Sequence, residues 1–324
     1  MRVLVTGGAG YIGSVVASQL AAAGHETVVL DDLSRGHAGA VPEEATLVRG
    51  DLLDAGLVSE TLAGGFDGVL HFAALSLVGE SVREPELYYR NNVCGTLNLL
   101  EAMRESGTRK LVFSSTAAVY GEPESVPIME SDPALPTNPY GSSKLAVDRL
   151  IGAVAGAHGL AATSLRYFNV AGASGRYGED HHPETHLIPL VLRAAAGGTS
   201  VKVFGTDYPT RDGTAVRDYI HVEDLGRAHL LALEAAEPGE HRVYNLGNGS
   251  GFSVREVVEA ARRVTGRDID AVEAPRREGD PPALVAASDR IRSDLGWEPE
   301  KPGLDDMISD AWAWMQDHPR GYDE

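Results

Sequence analysis

The sequence predicts a doubly wound α/β fold, in which a parallel sheet carries helices on both faces and a smaller C-terminal lobe follows. The first observation is an alternation of short apolar runs with longer helical patterns. The second is a glycine-rich turn directly after the first apolar run. The predicted strands are 3–5, 27–30, 46–49, 68–72, 110–115 and 161–167, and the clearest helices are 12–23, 86–106 and 140–158.

The alternation of strands and helices ends near residue 170, where loops rich in glycine, proline and histidine begin. We therefore predict a first domain at 1–170 and a smaller lobe at 171–324, with 216–236 returning to the first domain. Later helices are predicted near Val222 and at Ser253, where Ser253 and Glu256 have the spacing of a capping box.

Composition and charge exclude two classes of partner. The chain has 324 residues, of which 43% are hydrophobic, enough for a buried core. A formal net charge of −19 would repel nucleic acids and anionic membrane surfaces. No apolar run approaches the ~20 residues of a membrane span. The single cysteine, Cys94, cannot form an internal disulfide, which favours a reduced cytoplasm as the location.

The glycine-rich turn has the spacing of a dinucleotide-binding loop. Glycines let the backbone turn tightly and approach a pyrophosphate, whose charge meets the free N–H groups at the start of the next helix. Asp31 ends the second strand, where a carboxylate accepts hydrogen bonds from a ribose and repels a 2′-phosphate. The pattern therefore predicts a Rossmann domain that binds NAD rather than NADP. The turn residues predicted to contact it are Gly7, Gly10, Tyr11, Ile12 and Gly13.

A tyrosine and a lysine share one face of a predicted helix. Asn138 and Pro139 are typical N-cap and first-turn residues, so Tyr140 lies in the first turn and Lys144 one turn later. A phenol has a pKa near 10, which must fall by roughly three units for it to act as a base near neutrality. We expect three positive groups to lower the phenol pKa: Lys144, a bound nicotinamide and the helix N-terminus. Thr116 ends a strand at the same crevice and is the predicted second hydrogen-bond donor.

Longer motifs run along nearly the whole chain. They are TGGAGYIG at 6–13, HFAALSLVGES at 71–81, NNVCGT at 91–96, FSSTAAVYG at 113–121, NPYGSSK at 138–144, LRYFNVAG at 165–172, DGTAVRDYIHVEDL at 212–225 and APRREGD at 274–280. Together they resemble the extended short-chain dehydrogenase/reductase family and, within it, the nucleotide-sugar 4-epimerases. The resemblance implies reversible C4 inversion between UDP-glucose and UDP-galactose, through a 4-keto intermediate and transient NADH, with Thr116, Tyr140 and Lys144 as catalytic residues.

The resemblance also implies which residues contact each ligand. Along NAD these are Asp51, Leu52, Phe72, Ala73, Ala74, Leu75, Asn91 and Phe168, with Tyr140 and Lys144. On the UDP-sugar they are Asn169, His186, Leu187, Lys202, Val203, Phe204, Arg217, Arg277, Asp280 and Leu284, with Thr116 and Tyr140. Arginines suit a diphosphate, because one guanidinium binds two oxygens. Arg276 is interpreted as a surface residue.

Three positions depart from the family pattern. Thr116 stands where many members have serine, and the hydroxyl is kept. Ser76 stands where some relatives have a lysine that touches the cofactor, so NAD binding could be looser. Leu284 lies at a position whose size limits the substituent at sugar C2. Leucine is intermediate in size, so acceptance of N-acetylated sugars is left open.

Other functions fit these residues less well. A 4,6-dehydratase needs an acid/base pair after the strand threonine, and this chain has Ala117 and Ala118 there. A uronate epimerase stays the alternative, and a non-catalytic NAD sensor is disfavoured because Tyr140 and Lys144 are both present. The histidine-rich stretch 180–186 is expected to be a solvated substrate loop without a metal, because Pro183 interrupts any helix. The resemblance implies a homodimer formed through the helices predicted at 86–106 and 140–158.

Overall fold

A seven-stranded parallel sheet forms the centre of the larger domain in this computed structural model, which describes residues 1–277 and 279–322. Its strands lie in the order β11-β6-β5-β4-β1-β2-β3. In chain order they are β1 (Arg2–Thr6), β2 (Glu26–Asp31), β3 (Thr46–Arg49), β4 (Gly68–His71), β5 (Lys110–Thr116), β6 (Ala161–Tyr167) and β11 (His241–Leu246). The order reverses direction between β1 and β4, which opens a ligand crevice at the carboxyl ends of these strands. The predicted fold class is confirmed.

Helices cover both faces of the sheet. They are α1 (Tyr11–Ala22), α2 (Ala55–Leu62), α3 (Val78–Arg83), α4 (Pro85–Tyr88), α5 (Gly95–Ser106), α6 (Pro139–His158) and α8 (Val222–Glu234). On one face Leu20 of α1 and Leu225 of α8 pack with Val5 in one core cluster. On the other, Leu99 of α5 and Ile151 of α6 pack with other sheet residues. None of the helices in the described residues is long and apolar enough to cross a membrane.

The smaller lobe has its own core. Its elements are β7 (Asn169–Ala171), α7 (Leu187–Ala195), β8 (Val201–Phe204), β9 (Val216–Arg217), β10 (Tyr219–His221), β12 (Phe252–Ser253), α9 (Val254–Thr265), β13 (Ala271–Ala274), β14 (Ala283–Leu284) and α11 (Leu304–Asp317). Helix α10 (Asp289–Leu295) packs against the larger domain instead, since Ile291 belongs to the core cluster of Leu20 and Leu225. Val191, Val257 and Ile308 bring α7, α9 and α11 together in one cluster. Ser253 and Glu256 form the capping box at the start of α9.

Two of the differences between the structure and the sequence prediction concern β11 and the helix predicted over 86–106. Strand β11 was not predicted, because its first half, His241-Arg242, is polar and lies at an edge of the sheet. The single helix predicted over 86–106 is interrupted by a π-helical turn at Tyr89–Cys94. Such turns are rare and frequently lie at functional sites. Here the turn carries Asn91, a predicted cofactor contact, and Asn92 beside it.

Candidate active site

The glycine-rich loop lies between β1 and α1 at the carboxyl edge of the sheet. Gly7 has a φ of +72°, and a Cβ there would lie 2.5 Å from the Ala73 nitrogen. A Cβ on Gly13 would lie 2.2 Å from the Gly7 oxygen. A Cβ on Gly10 would meet only the Gly7 oxygen, at 3.4 Å, and Gly10 precedes α1 without a capping side chain. The N-terminus of α1, with Tyr11 and Ile12, therefore opens onto free space that suits a pyrophosphate.

Asp31 holds the loop from the end of β2. Its Oδ2 accepts a hydrogen bond from the Ala9 N–H (3.0 Å) and its Oδ1 accepts one from the Leu33 N–H (2.9 Å). Burial raises the pKa of this carboxyl, and the two N–H donors oppose the rise. Each carboxylate oxygen can accept a further hydrogen bond, so Asp31 can serve both the loop and a ribose.

Asp51 and Leu52 follow β3, next to the end of β2. The Asp51 Oδ1 accepts from the Leu53 N–H at 2.9 Å, which fixes the turn. Leu52 is buried, and its carbonyl accepts from Asn98 Nδ2 at 2.9 Å. The structure thus places this predicted adenine contact one strand away from Asp31.

Residues 72–75 form the opposite wall of the crevice. The N–H groups of Phe72 and Ala73 donate to the Thr6 carbonyl at 2.8 and 3.0 Å, and Ala74 and Leu75 continue the segment. Leu75 is held on both sides by the buried amide of Asn92, which accepts from its N–H at 2.8 Å and donates to its carbonyl at 3.0 Å. These bonds fix the backbone that faces Gly7.

The three predicted catalytic side chains meet at the end of β5. Asn138 Oδ1 accepts from the Gly141 N–H at 2.9 Å, and with Pro139 it starts α6 so that Tyr140 lies in the first turn. The Thr116 side chain lies beside the Tyr140 phenol and acts on its pKa. The buried Lys144 donates from Nζ to the Ser114 carbonyl at 2.8 Å and lies 4.7 Å from the centre of the Phe113 ring.

The pKa shifts of Tyr140 and Lys144 in the protein without cofactor differ from the sequence expectation. Burial raises the pKa of the Tyr140 phenol, opposed by the hydrogen bond with Thr116. Burial lowers the pKa of Lys144 to about 7, opposed by the Asp148 carboxylate. The expected lowering of the phenol pKa by Lys144 is therefore absent here. The physical reason is that each charged form loses water on burial, and neither group is the ion partner of the other.

The predicted substrate contacts line the side of the crevice that the smaller lobe provides. Arg217 on β9 pairs with Asp280, and its neighbour across the sheet is Leu284 on β14. The Arg277 guanidinium lies 4.0 Å from the centre of the Phe204 ring, near the end of β8. Glu278, within the motif that carries Arg277 and Asp280, lies outside the described residues.

Other predicted contacts are less closely grouped. Lys202 is exposed and Val203 is buried on β8, so they point to opposite sides of that strand. Phe168 packs with Leu284 against the buried cluster that includes Tyr120, and Asn169 follows it at the start of β7. Arg276 forms an exposed pair with Asp207 at 2.7 Å, which fits its interpretation as a surface residue.

His186 and Leu187 lie at the start of α7. The His186 Nδ1 faces two carboxylates, those of Glu179 at 2.7 Å and Glu184 at 3.1 Å. Any contact between this imidazole and a substrate must therefore use its other nitrogen. The side chain of Leu187 packs against the core of the smaller lobe.

The crevice thus combines an uncapped helix N-terminus after a glycine loop, a phenol beside a hydroxyl, and two arginines on the smaller lobe. A model of the NAD dependent epimerase/dehydratase family matches residues 3–247.

The chain belongs to this family.

Relatives of this epimerase/dehydratase family extend the match to the full chain. A UDP-glucose 4-epimerase of Streptomyces lividans is 58% identical and covers 100% of this chain, which spans 98% of it. The crystal structure of UDP-glucose 4-epimerase from Brucella ovis in complex with NAD is 46% identical, with a TM-score of 0.93 over 96% of this chain and 97% of that one. The enzyme from Bifidobacterium longum, in complex with NAD+ and UDP, is 37% identical, with a TM-score of 0.93 over 99% and 100%.

Two buried polar residues that hold the active-site side chains in place were not predicted from the sequence. Asn92 links Leu75 to α6, because its Nδ2 also donates to Ser143 Oγ at 3.1 Å. Asp148 accepts from Arg166 Nε at 3.0 Å and from Ser115 Oγ at 3.2 Å. The sequence did offer signals for these roles. Asn92 is the second asparagine of the motif NNVCGT, and Asp148 and Arg166 are charged residues inside otherwise apolar elements. A buried polar residue needs partners, and here those partners hold the site.

Lys144 gives a pH-dependent contribution to stability that can be measured. Its folded pKa of about 7 lies below the ordinary 10.5, so the unfolded chain binds more protons between these values. Stability contributed by this residue therefore rises with pH across that window. Relative to Lys144→Met, cofactor-free wild type should gain about 2 kcal/mol in free energy of unfolding from about pH 7 to about pH 9. Urea unfolding measures this, and parallel curves for both proteins would contradict it.

Proposed function

We propose that this protein is a UDP-glucose 4-epimerase that interconverts UDP-glucose and UDP-galactose with NAD as its bound cofactor. One observation carries the proposal. The Tyr140 phenol and the Thr116 hydroxyl interact at the end of β5, and the helix that carries Tyr140 also carries the buried Lys144, whose Nζ donates to the Ser114 carbonyl of the same strand. Full-length relatives named UDP-glucose 4-epimerase support the same conclusion.

The residues present fit NAD. The space beside Gly10 and the uncapped start of α1 suit the pyrophosphate, and Asp31 and Asp51 suit the adenosine half. The segment 72–75 and Asn91 would lie along the dinucleotide, and Phe168 and Lys144 would lie at its nicotinamide end. When bound, NAD takes up a hydride from C4 of the sugar and returns it, so it is regenerated in each cycle.

Tyr140 moves the proton of the reacting hydroxyl. Its phenolate takes the proton from the 4-hydroxyl as C4 is oxidised, and the phenol gives it back when the ketone is reduced on the other face. Thr116 hydrogen-bonds the same oxygen and stabilises its developing charge. Burial raises the pKa of the phenol, and the positive charge that bound NAD would bring opposes this rise and favours the phenolate.

Inversion requires the sugar to turn while the nucleotide stays in place. Arg217 and Arg277 carry charge that suits the diphosphate, and they belong to the smaller lobe, opposite Tyr140. Asp280 pairs with Arg217 and limits its movement. An anchored diphosphate leaves the hexose free to rotate about its linkage and present the opposite face of the ketone.

The residues after Thr116 favour epimerisation over loss of water. Ala117 and Ala118 form a short 3₁₀ turn, and the Ala118 N–H donates to Thr116 Oγ1 at 3.1 Å. Neither alanine can carry a proton, so the elimination of a dehydratase lacks its acid and base here.

A product assay tests this function. Purified protein is mixed with UDP-galactose, without added NAD, and the sugar nucleotides are separated. We expect UDP-glucose, with no net NADH. Water loss, net accumulation of NADH, or turnover only of UDP-uronates would overturn the proposal.

We also propose that the protein acts as a cytoplasmic homodimer, joined through α5 and α6 and the turns beside them. Exposed apolar side chains gather in this region, including Val82, Leu87, Tyr89 and Leu97. Beside them lies a surface groove of about 460 Å³ lined in part by Tyr89 and Ala146. Such a patch is typical of a protein interface. The single thiol, Cys94, is exposed in the same region, which suits a reducing compartment.

Charge placed in this patch should separate the protomers. We expect Leu97→Glu to raise the dimer dissociation constant by about 30-fold or more, since a buried interface side chain contributes roughly 2 kcal/mol or more. Val272→Glu, at an exposed valine of the smaller lobe, is the matched control and should leave the dimer intact. Sedimentation equilibrium measures both. A monomeric wild type, or equal dissociation in both variants, would contradict the interface.

A further inference from the structure

Four side chains converge in the loop that leads into α7. They are Glu179, His181, Glu184 and His186, and one ligand atom from each lies within 4.8 Å of all the others. The Glu179 Oε1 lies 2.7 Å from His186 Nδ1 and 3.1 Å from His181 Nδ1. His186 Nδ1 lies 3.1 Å from Glu184 Oε1, and His181 Nδ1 lies 3.9 Å from Glu184 Oε2. Two carboxylates and two imidazoles therefore face a common point.

Glu184 provides a second and independent observation. Its side chain is 0% exposed, and its Oε1 accepts from the Thr185 and His186 N–H groups, each at 2.7 Å. These bonds fix the carboxylate and turn Oε2 toward the cluster. That oxygen is buried without a hydrogen-bond partner. A buried, unpartnered carboxylate oxygen is costly, and a cation beside it removes the cost.

We propose that this loop holds one divalent transition-metal ion, of which Zn²⁺ fits best, with Glu179, His181, Glu184 and His186 as its ligands. Two imidazoles and two carboxylates are a donor set that suits Zn²⁺. Bonds of ~2.0 Å in a tetrahedron place ligand atoms about 3.3 Å apart. With Oε2 as the ligand atom of Glu184, the separations of 2.7 and 3.1 Å from Glu179 to the two imidazoles and of 3.9 Å from His181 to Glu184 lie on either side of that value. The ion balances the two carboxylates while both imidazoles stay neutral.

A comparable group elsewhere does not qualify. His221, Glu223 and Asp310 also lie within ligand distance of one another. Lys301 Nζ already occupies the centre of that group, at 2.7 Å from both Glu223 Oε2 and Asp310 Oδ2. The cluster at 179–186 has no lysine or arginine in this role among the contacts described. The sequence expectation of no metal rested on Pro183 interrupting a helix and on the resemblance that places His186 and Leu187 at the substrate. Here a loop brings the four side chains together without a helix.

The position of the proposed ion gives it a structural role. His186 immediately precedes α7, the first helix of the smaller lobe. The His181 ring lies edge to face with Tyr11 of the glycine loop, at 6.5 Å between ring centres, and the Tyr11 hydroxyl donates to the Gly172 carbonyl at 2.7 Å. A bound ion would therefore tie the start of the smaller lobe to the cofactor loop of the larger domain.

Cobalt titration of the full-length, tag-free protein tests the site. Protein stripped with a chelator is titrated with Co²⁺ alone, and its visible absorption is followed. We expect one ion per chain, with the intense bands of four-coordinate cobalt, and loss of these bands when Zn²⁺ displaces it. Removal of the metal should lower the melting temperature.

Two variants and a control locate the ligands. His181→Ala and Glu184→Gln should each weaken Co²⁺ binding by more than the roughly 10–100-fold that loss of an outer partner costs. His182→Ala, at an exposed histidine of the same loop, should bind as wild type does. No stoichiometric binding by folded wild type would overturn the proposal, as would wild-type binding by folded His181→Ala. If one variant does not fold, the other and the wild-type spectrum decide.

Discussion

Tyr140→Phe is expected to lower turnover of UDP-galactose by about 10³-fold, within the range that a positioned acid or base contributes. The variant loses the phenol hydroxyl, which carries the proton and interacts with Thr116, but it keeps the ring, Lys144 and the glycine loop. The bound NAD content and melting temperature should therefore stay close to those of wild type. Steady-state assays and quantification of NAD released on denaturation measure these effects.

Tyr244→Phe is the matched control for this substitution. Its hydroxyl also makes a hydrogen bond, to Asp294 at 3.2 Å, but on β11 and away from the crevice. We expect its turnover to stay within a few-fold of wild type. A Tyr140→Phe enzyme as active as the Tyr244→Phe control would remove Tyr140 from the mechanism.

Gly13→Ala should abolish retention of the cofactor. A Cβ at this position would lie 2.2 Å from the Gly7 oxygen and 2.8 Å from the Gly8 Cα, so the backbone of the loop would have to move. We expect NAD affinity to fall at least about 100-fold, equivalent to about 3 kcal/mol. The NAD retained per chain after purification, and binding of added NAD, measure the loss.

Gly156→Ala is the control for this change. A Cβ there meets no atom within 4 Å, and the residue lies near the end of α6. Alanine stabilises a helix by up to about 1 kcal/mol over glycine, so this variant should keep its NAD and unfold no more easily. Full NAD retention by Gly13→Ala would show that the loop does not bind the cofactor as we describe.

The sheet of the larger domain could be predicted because its strands are buried apolar runs. β1, for example, buries four successive residues, Val3 to Thr6, and such a run differs clearly from an amphipathic helix. β11 escaped prediction since it begins with two polar residues at the sheet edge. The π-helical turn at Tyr89–Cys94 has no signature of its own in the residue pattern, because its extra residue is accommodated by contacts with α6.

The site was predictable where one local motif carries several groups. Asn138, Tyr140 and Lys144 lie within seven residues, so their spacing on a helix places them together. The roles of Asn92 and Asp148 depend on partners far along the chain, which spacing cannot reveal. The cluster around Glu184 could not be predicted for a similar reason. Pro183 disfavours a helix, but it does not predict the loop conformation that brings the four side chains together. The pKa of Tyr140 depended on burial, which the pattern alone does not give.

The hydrogen at C4 provides the most direct test of the central claim. UDP-galactose carrying deuterium at C4 is incubated with the purified protein in ordinary water, without added NAD, and the products are examined by mass spectrometry and NMR. We predict UDP-glucose that keeps its deuterium at C4, because the hydrogen leaves and returns to the same carbon within one closed site. Exchange of that deuterium with water, or a product other than the C4 epimer, would contradict the account.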